Sequence, residues 1–170
     1  MPSEESASPR HIVVMGVSGS GKTTVGMLLG ERLGMPYRDG DDLHPKENID
    51  KMAAGHALDD ADRWPWLTLV SHWLRDRPEG GIIGCSALKR SYRDLIRSAA
   101  PDTVFIHVHG TRELLAERMQ TREGHFMPAS LLESQLATLE PLQEDETGTV
   151  VDIAGPPGEV ADATVAWLRS

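Results

Sequence analysis

The chain has 170 residues, 39% of them hydrophobic and 25% charged, the size and balance of one domain with a single sizeable core. Its 17 Lys and Arg stand against 26 Asp and Glu, and a net charge of −9 repels a nucleic-acid backbone, so any anionic ligand has to be met by a local basic patch. Cys85 is the single cysteine and cannot form an intramolecular disulfide, no apolar run approaches the roughly 18 residues of a membrane span, and MPSEESASPR lacks the basic start and apolar stretch of a secretion signal, which together point to a cytoplasmic protein with no membrane partner.

Residues 1–9 are polar, carry Pro2 and Pro9, and bury too little to offset the entropy of ordering; they read as a disordered tail before a single domain over 10–170. The first apolar run, Ile12 to Met15, is β-branched-rich and predicts a buried strand. It leads into Gly16-Val-Ser-Gly-Ser-Gly-Lys22-Thr23, which has G-x-x-x-x-G-K-S/T spacing and precedes a helix striped by Val25, Leu28, Leu29 and Leu33. Glycines at 16, 19 and 21 let the backbone wrap so that successive N–H groups face the phosphates of a nucleotide. The helix start near Lys22 adds its positive dipole end, the Lys22 ammonium follows the transferring phosphoryl group, and the Thr23 hydroxyl can ligate Mg²⁺. Gly16, Ser18, Gly19, Ser20, Gly21, Lys22, Thr23 and Thr24 are therefore the candidate ATP-binding residues; a bare turn would need neither Lys22 nor Thr23.

A short strand at Tyr37 to Asp39 opens onto Asp39-Gly40-Asp41-Asp42-Leu43-His44-Pro45. Its crowded carboxylates repel one another unless a cation or a hydroxyl substrate sits among them, although Asp and Gly also suit a solvated turn. A helix follows, striped by Trp66, Val70, Trp73 and Leu74, and then a strand at Ile82 to Cys85. Beyond it, in Ser86-Ala-Leu-Lys89-Arg90-Ser-Tyr92-Arg93-Asp94, a helix starting near Leu88 would align Lys89, Arg93 and Arg97 on one basic face, fit for a small carboxylate or phosphate or simply for solvent. A strand at Val104 to Val108 carries His107, with His109 two residues on; the pair lacks the further ligands of a metal site and reads as paired or half-exposed. Arg118 and Arg122 lie one helical turn apart, ahead of a loop bracketed by Gly124 and Pro128, an arrangement suited to closing over a γ-phosphate. A helix marked by Leu132, Leu136 and Leu139, a strand at Val150 to Ile153 and a helix marked by Ala161, Thr164, Val165 and Leu168 complete the chain. Asp152 reads as structural, and Trp64, Trp66 and Trp73 as packing residues rather than base-stacking platforms. Strands alternating with helices imply an open parallel sheet flanked by helices, with its ligands beyond the carboxyl ends of the strands.

Four stretches together, GVSGSGKTT at 16 to 24, DGDDLHPKENIDKMAAGHALDDADRWPWL at 39 to 67, CSALKRSYRDLIR at 85 to 97 and REGHF at 122 to 126, resemble the gluconate kinases, over a span from about His11 to Leu168. The phosphate loop is generic, whereas DGD-x-LHP with a downstream CSALK-x-x-YRD is close to diagnostic; Trp64 before Pro65 departs from the usual pattern. The resemblance implies ATP-dependent phosphorylation of D-gluconate to 6-phospho-D-gluconate on a nucleoside-kinase-like α/β fold with strand order 2-3-1-4-5. It also implies a flap over about 42–75, a lid over about 119–137, and a homodimer. By the same resemblance Lys22 and Thr23 serve the phosphates and Mg²⁺, Asp39 holds the metal through water, and Asp41 faces the acceptor hydroxyl. His44, Lys89 and Arg93 become substrate contacts, with Arg118 near the adenine and Arg122 at the lid. The rival readings are a kinase for shikimate or a nucleoside monophosphate, which the acidic and basic stretches disfavour, and an ATP sensor, which would have no need of Lys22, Thr23, Asp39 and Asp41 together.

Overall fold

In the computed structural model, which describes residues 11–121 and 129–170, five parallel strands form one open sheet in the order β2-β3-β1-β4-β5, the order expected. The strands are β1 (His11–Met15), β2 (Tyr37–Asp39), β3 (Gly81–Gly84), β4 (Val104–His109) and β5 (Gly148–Asp152). The helices are α1 (Lys22–Leu33), α2 (Lys46–Ala53), α3 (Asp60–Arg75), α4 (Arg90–Ala99), α5 (Arg112–Thr121), α6 (Ala129–Thr138) and α7 (Pro157–Leu168). The tail expected over residues 1–9 lies outside the described residues.

Alternation along the central strands divides the interior into two cores. Ile12 and Val14 of β1, Ile82 of β3, and Val104, Ile106 and Val108 of β4 face α1 and α7, where Val25, Leu29, Val160, Ala161 and Val165 close over them. Val13 and Met15, Ile83 and Phe105 point the other way, onto Trp66, Leu67, Val70 and Leu74 of α3 and Tyr92 and Ile96 of α4. Because β1, β3 and β4 are covered on both faces, they read in sequence as continuous apolar runs. At the edge, β5 starts at Gly148, ahead of the expected Val150, and leaves Val150 54% exposed.

All five strands run the same way, so the loops after β1, β2, β3 and β5 gather at one edge of the sheet. The loops after β1 and β2 are pinned by close contacts. Gly16 (φ +150) passes so close to β4 that a Cβ there would stand 2.7 Å from the Val108 carbonyl oxygen. The 3₁₀ turn Gly40–Leu43 is tied to α3 by the Trp66 indole N–H, which donates to the Gly40 carbonyl at 2.8 Å. The start of α3 carries a reciprocal cap, in which the Asp59 carboxylate accepts from the Asp62 N–H and the Asp62 carboxylate from the Asp59 N–H.

Candidate active site

The loop between β1 and α1 is wound by left-handed backbone at Gly19 (φ 82) and Gly21 (φ 89), the latter capping α1. The Ser20 hydroxyl donates to the Val17 carbonyl at 2.7 Å and stiffens the turn from inside. Lys22 opens α1 and folds its ammonium back over the loop, donating to the Gly16 and Val17 carbonyls at 3.0 Å each. The Thr23 hydroxyl, one residue on, donates to the Asp39 carboxylate at 3.3 Å, which joins the loop to the end of β2. A hydroxyl and a carboxylate side by side form a hard-oxygen donor set suited to Mg²⁺, and the narrow glycine cradle beside them suits polyphosphate. Thr24 is exposed on α1.

Asp39 also accepts from the Asp41 backbone N–H at 2.9 Å and so sets the direction of the turn that presents Asp41. The Asp41 side chain stays 81% exposed to the cleft. Partial desolvation of its carboxyl and the repulsion of the Asp39 charge raise its pKa, against the opposing pull of Lys22 and His44. His44 is almost fully covered, stacked on Trp66 with ring centroids 4.2 Å apart, and its Nε2 lies 3.8 Å from an Asp41 oxygen. The Asn48 amide nitrogen donates to the Asp62 carbonyl at 2.9 Å and lies 3.2 Å from His44 Nδ1. That nitrogen is a donor, so Nδ1 accepts, and the proton of the neutral ring sits on Nε2, facing Asp41. Burial, with the nearby Arg63 charge, lowers the His44 pKa against the influence of Asp41 and Asp39.

The basic stretch after β3 is organised differently from the single face its spacing predicts. The helix α4 begins at Arg90, with Lys89 as its cap residue, and Lys89 turns toward α3, where its ammonium lies 3.4 Å from the Asp60 carboxylate and 5.6 Å from the centroid of the Tyr92 ring. Arg93 turns the opposite way and is fully buried. Its Nε and Nη2 grip Glu146 at 2.6 and 3.0 Å, Nη1 donates to the Ala87 and Leu88 carbonyls, and Nη2 also reaches the Pro141 carbonyl. With every N–H engaged inside the protein, Arg93 has no donor left for a substrate, which corrects its assignment as a substrate contact. Arg97 goes with it, 3.3 Å from Glu146 and 2.6 Å from Asp94. Burial works to raise the Glu146 pKa, but the Arg93 guanidinium overrides it and the net shift is downward.

Arg118 on α5 stands beside the glycine loop, since a Cβ on Gly21 would lie 3.8 Å from its Nη1, while its Nη2 donates to the Ile153 carbonyl at 2.7 Å in the loop after β5. Arg122 lies outside the described residues. Asp152 accepts from the Ala154 N–H at 2.8 Å, the structural role expected of it. Trp66 and Trp73 are buried, and Trp64 packs edge-on against Tyr92. His107 is buried with neither ring nitrogen hydrogen-bonded, its ring 4.9 Å from that of His109. Among the described residues no cluster of three His, Cys, Asp or Glu side chains could hold a metal.

Several side chains at this edge carry no recognisable signal in sequence. Asp60 and Arg63 meet Tyr92 across 32 and 29 residues, and Gln135 of α6 accepts from the Ser18 N–H at 2.6 Å and donates to its hydroxyl at 3.1 Å. The only local hint is the three-residue spacing of Asp60 and Arg63 on the first turn of α3.

Residues 12–128 match a family model described as an AAA domain. The chain is 52% identical over 150 residues to a gluconokinase of Gluconobacter oxydans (strain 621H), covering 86% of this chain and 83% of that one. It is 48% identical over 145 residues to the thermosensitive gluconokinase of Escherichia coli (strain K12), covering 83% and 78%. A crystal structure of a gluconokinase from Sinorhizobium meliloti 1021 superposes with a TM-score of 0.87 at 50% identity, over 94% of this chain and 91% of that one.

Proposed function

The chain belongs to the gluconokinase family, and we infer that the site just described carries out that family's reaction, the ATP-dependent phosphorylation of D-gluconate to 6-phospho-D-gluconate. The observation that carries this reading is the continuous link from Lys22 and Thr23 through Asp39 to Asp41, which sets a phosphate grip beside an acceptor carboxylate.

Gly16, Ser18, Gly19, Ser20, Gly21, Lys22, Thr23 and Thr24 form the ATP-binding loop, where the Ser18 N–H would have to give up Gln135 to meet a phosphate, and Arg118 and Arg122 serve the nucleotide side. Thr23, with Asp39 through water, would hold Mg²⁺, which when bound would offset the charge of the phosphates. Lys22 exchanges its two carbonyl partners for phosphate oxygens and follows the γ-phosphoryl group. Asp41 orients the terminal hydroxyl of gluconate and accepts its proton late, because in a loose phosphoryl-transfer transition state the acceptor oxygen is only weakly bonded. The raised pKa of Asp41 suits a group that must take up a proton, and the His44 Nε2–H supplies a donor beside it. Lys89 adds positive charge on the acceptor side. Residues 42–75, which include α2 and α3, act as the substrate flap, and residues 119–137, of which 122–128 lie outside the described residues, as the lid that excludes water. The working form is a cytoplasmic homodimer. The dimer follows from the resemblance, and no helix among the described residues is long and apolar enough to cross a membrane.

The test is ADP release from Mg-ATP with gluconate, shikimate, adenosine monophosphate or no acceptor. Release is expected with gluconate alone, and turnover confined to another acceptor, or equal without any, would reject the assignment.

A further inference from the structure

Gluconate carries a carboxylate at the end of the molecule opposite the hydroxyl that reacts, so its recognition calls for a cation a substrate's length from Asp41. The basic stretch after β3 supplies few candidates. Arg93 is spent on Glu146, Arg97 on Glu146 and Asp94, and Arg90 on Asp145 and Gln143. Lys89 is drawn to Asp60.

The structure assigns that role to Arg63, on the first turn of α3, as the residue that grips the substrate carboxylate. This assignment rests on the gluconokinase reading above. Arg63 Nη1 donates to the Tyr92 hydroxyl at 3.0 Å, and Tyr92 in turn donates to the Asp60 carboxylate. Asp60 lies 3.7 Å from the same Arg63 nitrogen. Among the described residues Nε and Nη2 of Arg63 donate to nothing, so the guanidinium is held at one corner with two donor nitrogens to spare, the geometry that a bidentate carboxylate contact uses. Its position is right as well. Arg63 precedes Trp66 by three residues on α3, and Trp66 stacks on His44 and donates to the Gly40 carbonyl of the turn that carries Asp41, so the shared helix face puts Arg63 beside the acceptor turn. The charge count also fits. Arg63 and Lys89 share one carboxylate, Asp60, and the cluster keeps one net positive charge, matched to a monoanion. Tyr92 and Asp60 are positioning residues in this scheme, fixing the guanidinium plane without touching substrate.

The experiment compares the parent enzyme with Arg63→Met and Arg63→Lys, using gluconate and its neutral amide as acceptors and recording KM for each acceptor and for ATP. The parent is expected to favour gluconate over the amide by at least about tenfold in kcat/KM, the scale of one charge-assisted hydrogen-bonded contact. Arg63→Met should raise KM for gluconate about tenfold or more, leave KM for ATP within about twofold, and bring the gluconate-to-amide ratio close to unity. Arg63→Lys should recover part of the preference. If Arg63→Met lowers both acceptors alike and keeps their ratio, or leaves KM for gluconate unchanged, Arg63 is structural and the inference falls while the kinase assignment stands. A parent that does not discriminate the amide also overturns it. Failure of the parent to turn over gluconate at all overturns the functional reading itself. Should Arg63→Met fail to fold, Arg63→Lys decides, since a retained charge with lost fork geometry should still weaken gluconate selectively.

Discussion

Glu146→Gln keeps the shape of the side chain that Arg93 grips but removes its charge, leaving a guanidinium fully buried without a counter-ion. Both side chains of the pair are 0% exposed, and the contact is bidentate at 2.6 and 3.0 Å, so solvent offers no relief. Breaking one partner out of a buried pair of this kind costs about 3–5 kcal/mol. For a domain of this size each kcal/mol moves the melting midpoint by about 2–4 °C, so a fall of roughly 6–20 °C is expected. Differential scanning calorimetry or a circular-dichroism melt measures it, and KM for gluconate and for ATP at a temperature well below the midpoint should change by less than about threefold, since every donor of Arg93 is spent inside the protein. Arg93→Met should behave in the same way. A melting midpoint within about 2 °C of the parent, or a selective tenfold rise in KM for gluconate in Arg93→Met, would refute the structural role and return Arg93 to the substrate.

Lys22→Ala should lower kcat by roughly 10²–10³-fold with an unchanged circular-dichroism spectrum, because it removes the cation where charge develops most in the transition state; activity within about tenfold of the parent contradicts the phosphate-loop role. Asp41→Asn should reduce kcat at least about 10²-fold while leaving KM for ATP nearly unchanged. Because the Asp41 pKa is raised in the fold, its ionisation opposes folding at neutral pH, and the same variant should melt slightly higher than the parent; parallel loss of ATP affinity would move Asp41 into the metal's surroundings. His107 is pushed down to about 4 by burial and by its neighbour His109. The unfolded chain takes up a proton near the ordinary histidine value while the folded chain does not, so this contribution is complete above about pH 6.5 and drains away as pH falls toward 4. Urea midpoints between pH 7 and 5 should fall for the parent and far less for His107→Leu; His44, shifted in the same direction, accounts for a residual slope. Equal slopes in the two proteins would show that His107 does not carry the effect.

The arrangement of the glycine loop and the acidic turn was legible because its determinants are contiguous. Gly16 to Thr23 needs only its own spacing to become a phosphate cradle, and Asp39 and Asp41 are close enough in the chain for one turn to set both. The central strands were legible for a related reason, since burial on both faces writes an uninterrupted apolar run that no neighbour has to complete. Edges and partners were not. The strand at Val150 was misplaced because its outer side meets solvent, and the start of α4 because Lys89 serves as its cap.

The sharpest divergence lies in the arginines. Four-residue spacing correctly put Arg93 and Arg97 on one helical face, but it says nothing about what that face meets, and what it meets is Glu146, 53 residues from Arg93 in the chain. Arg63 carried no basic neighbours to draw notice, yet the packing of α3 against α4 brings it to Tyr92, which engages only one of its nitrogens. Local sequence determines which residues share a helix face or a loop, because those relations depend on backbone geometry within a few residues. Whether a charge there is spent on the fold or kept for a ligand depends on the group opposite it and on how much water is excluded between them, and only the tertiary structure decides that.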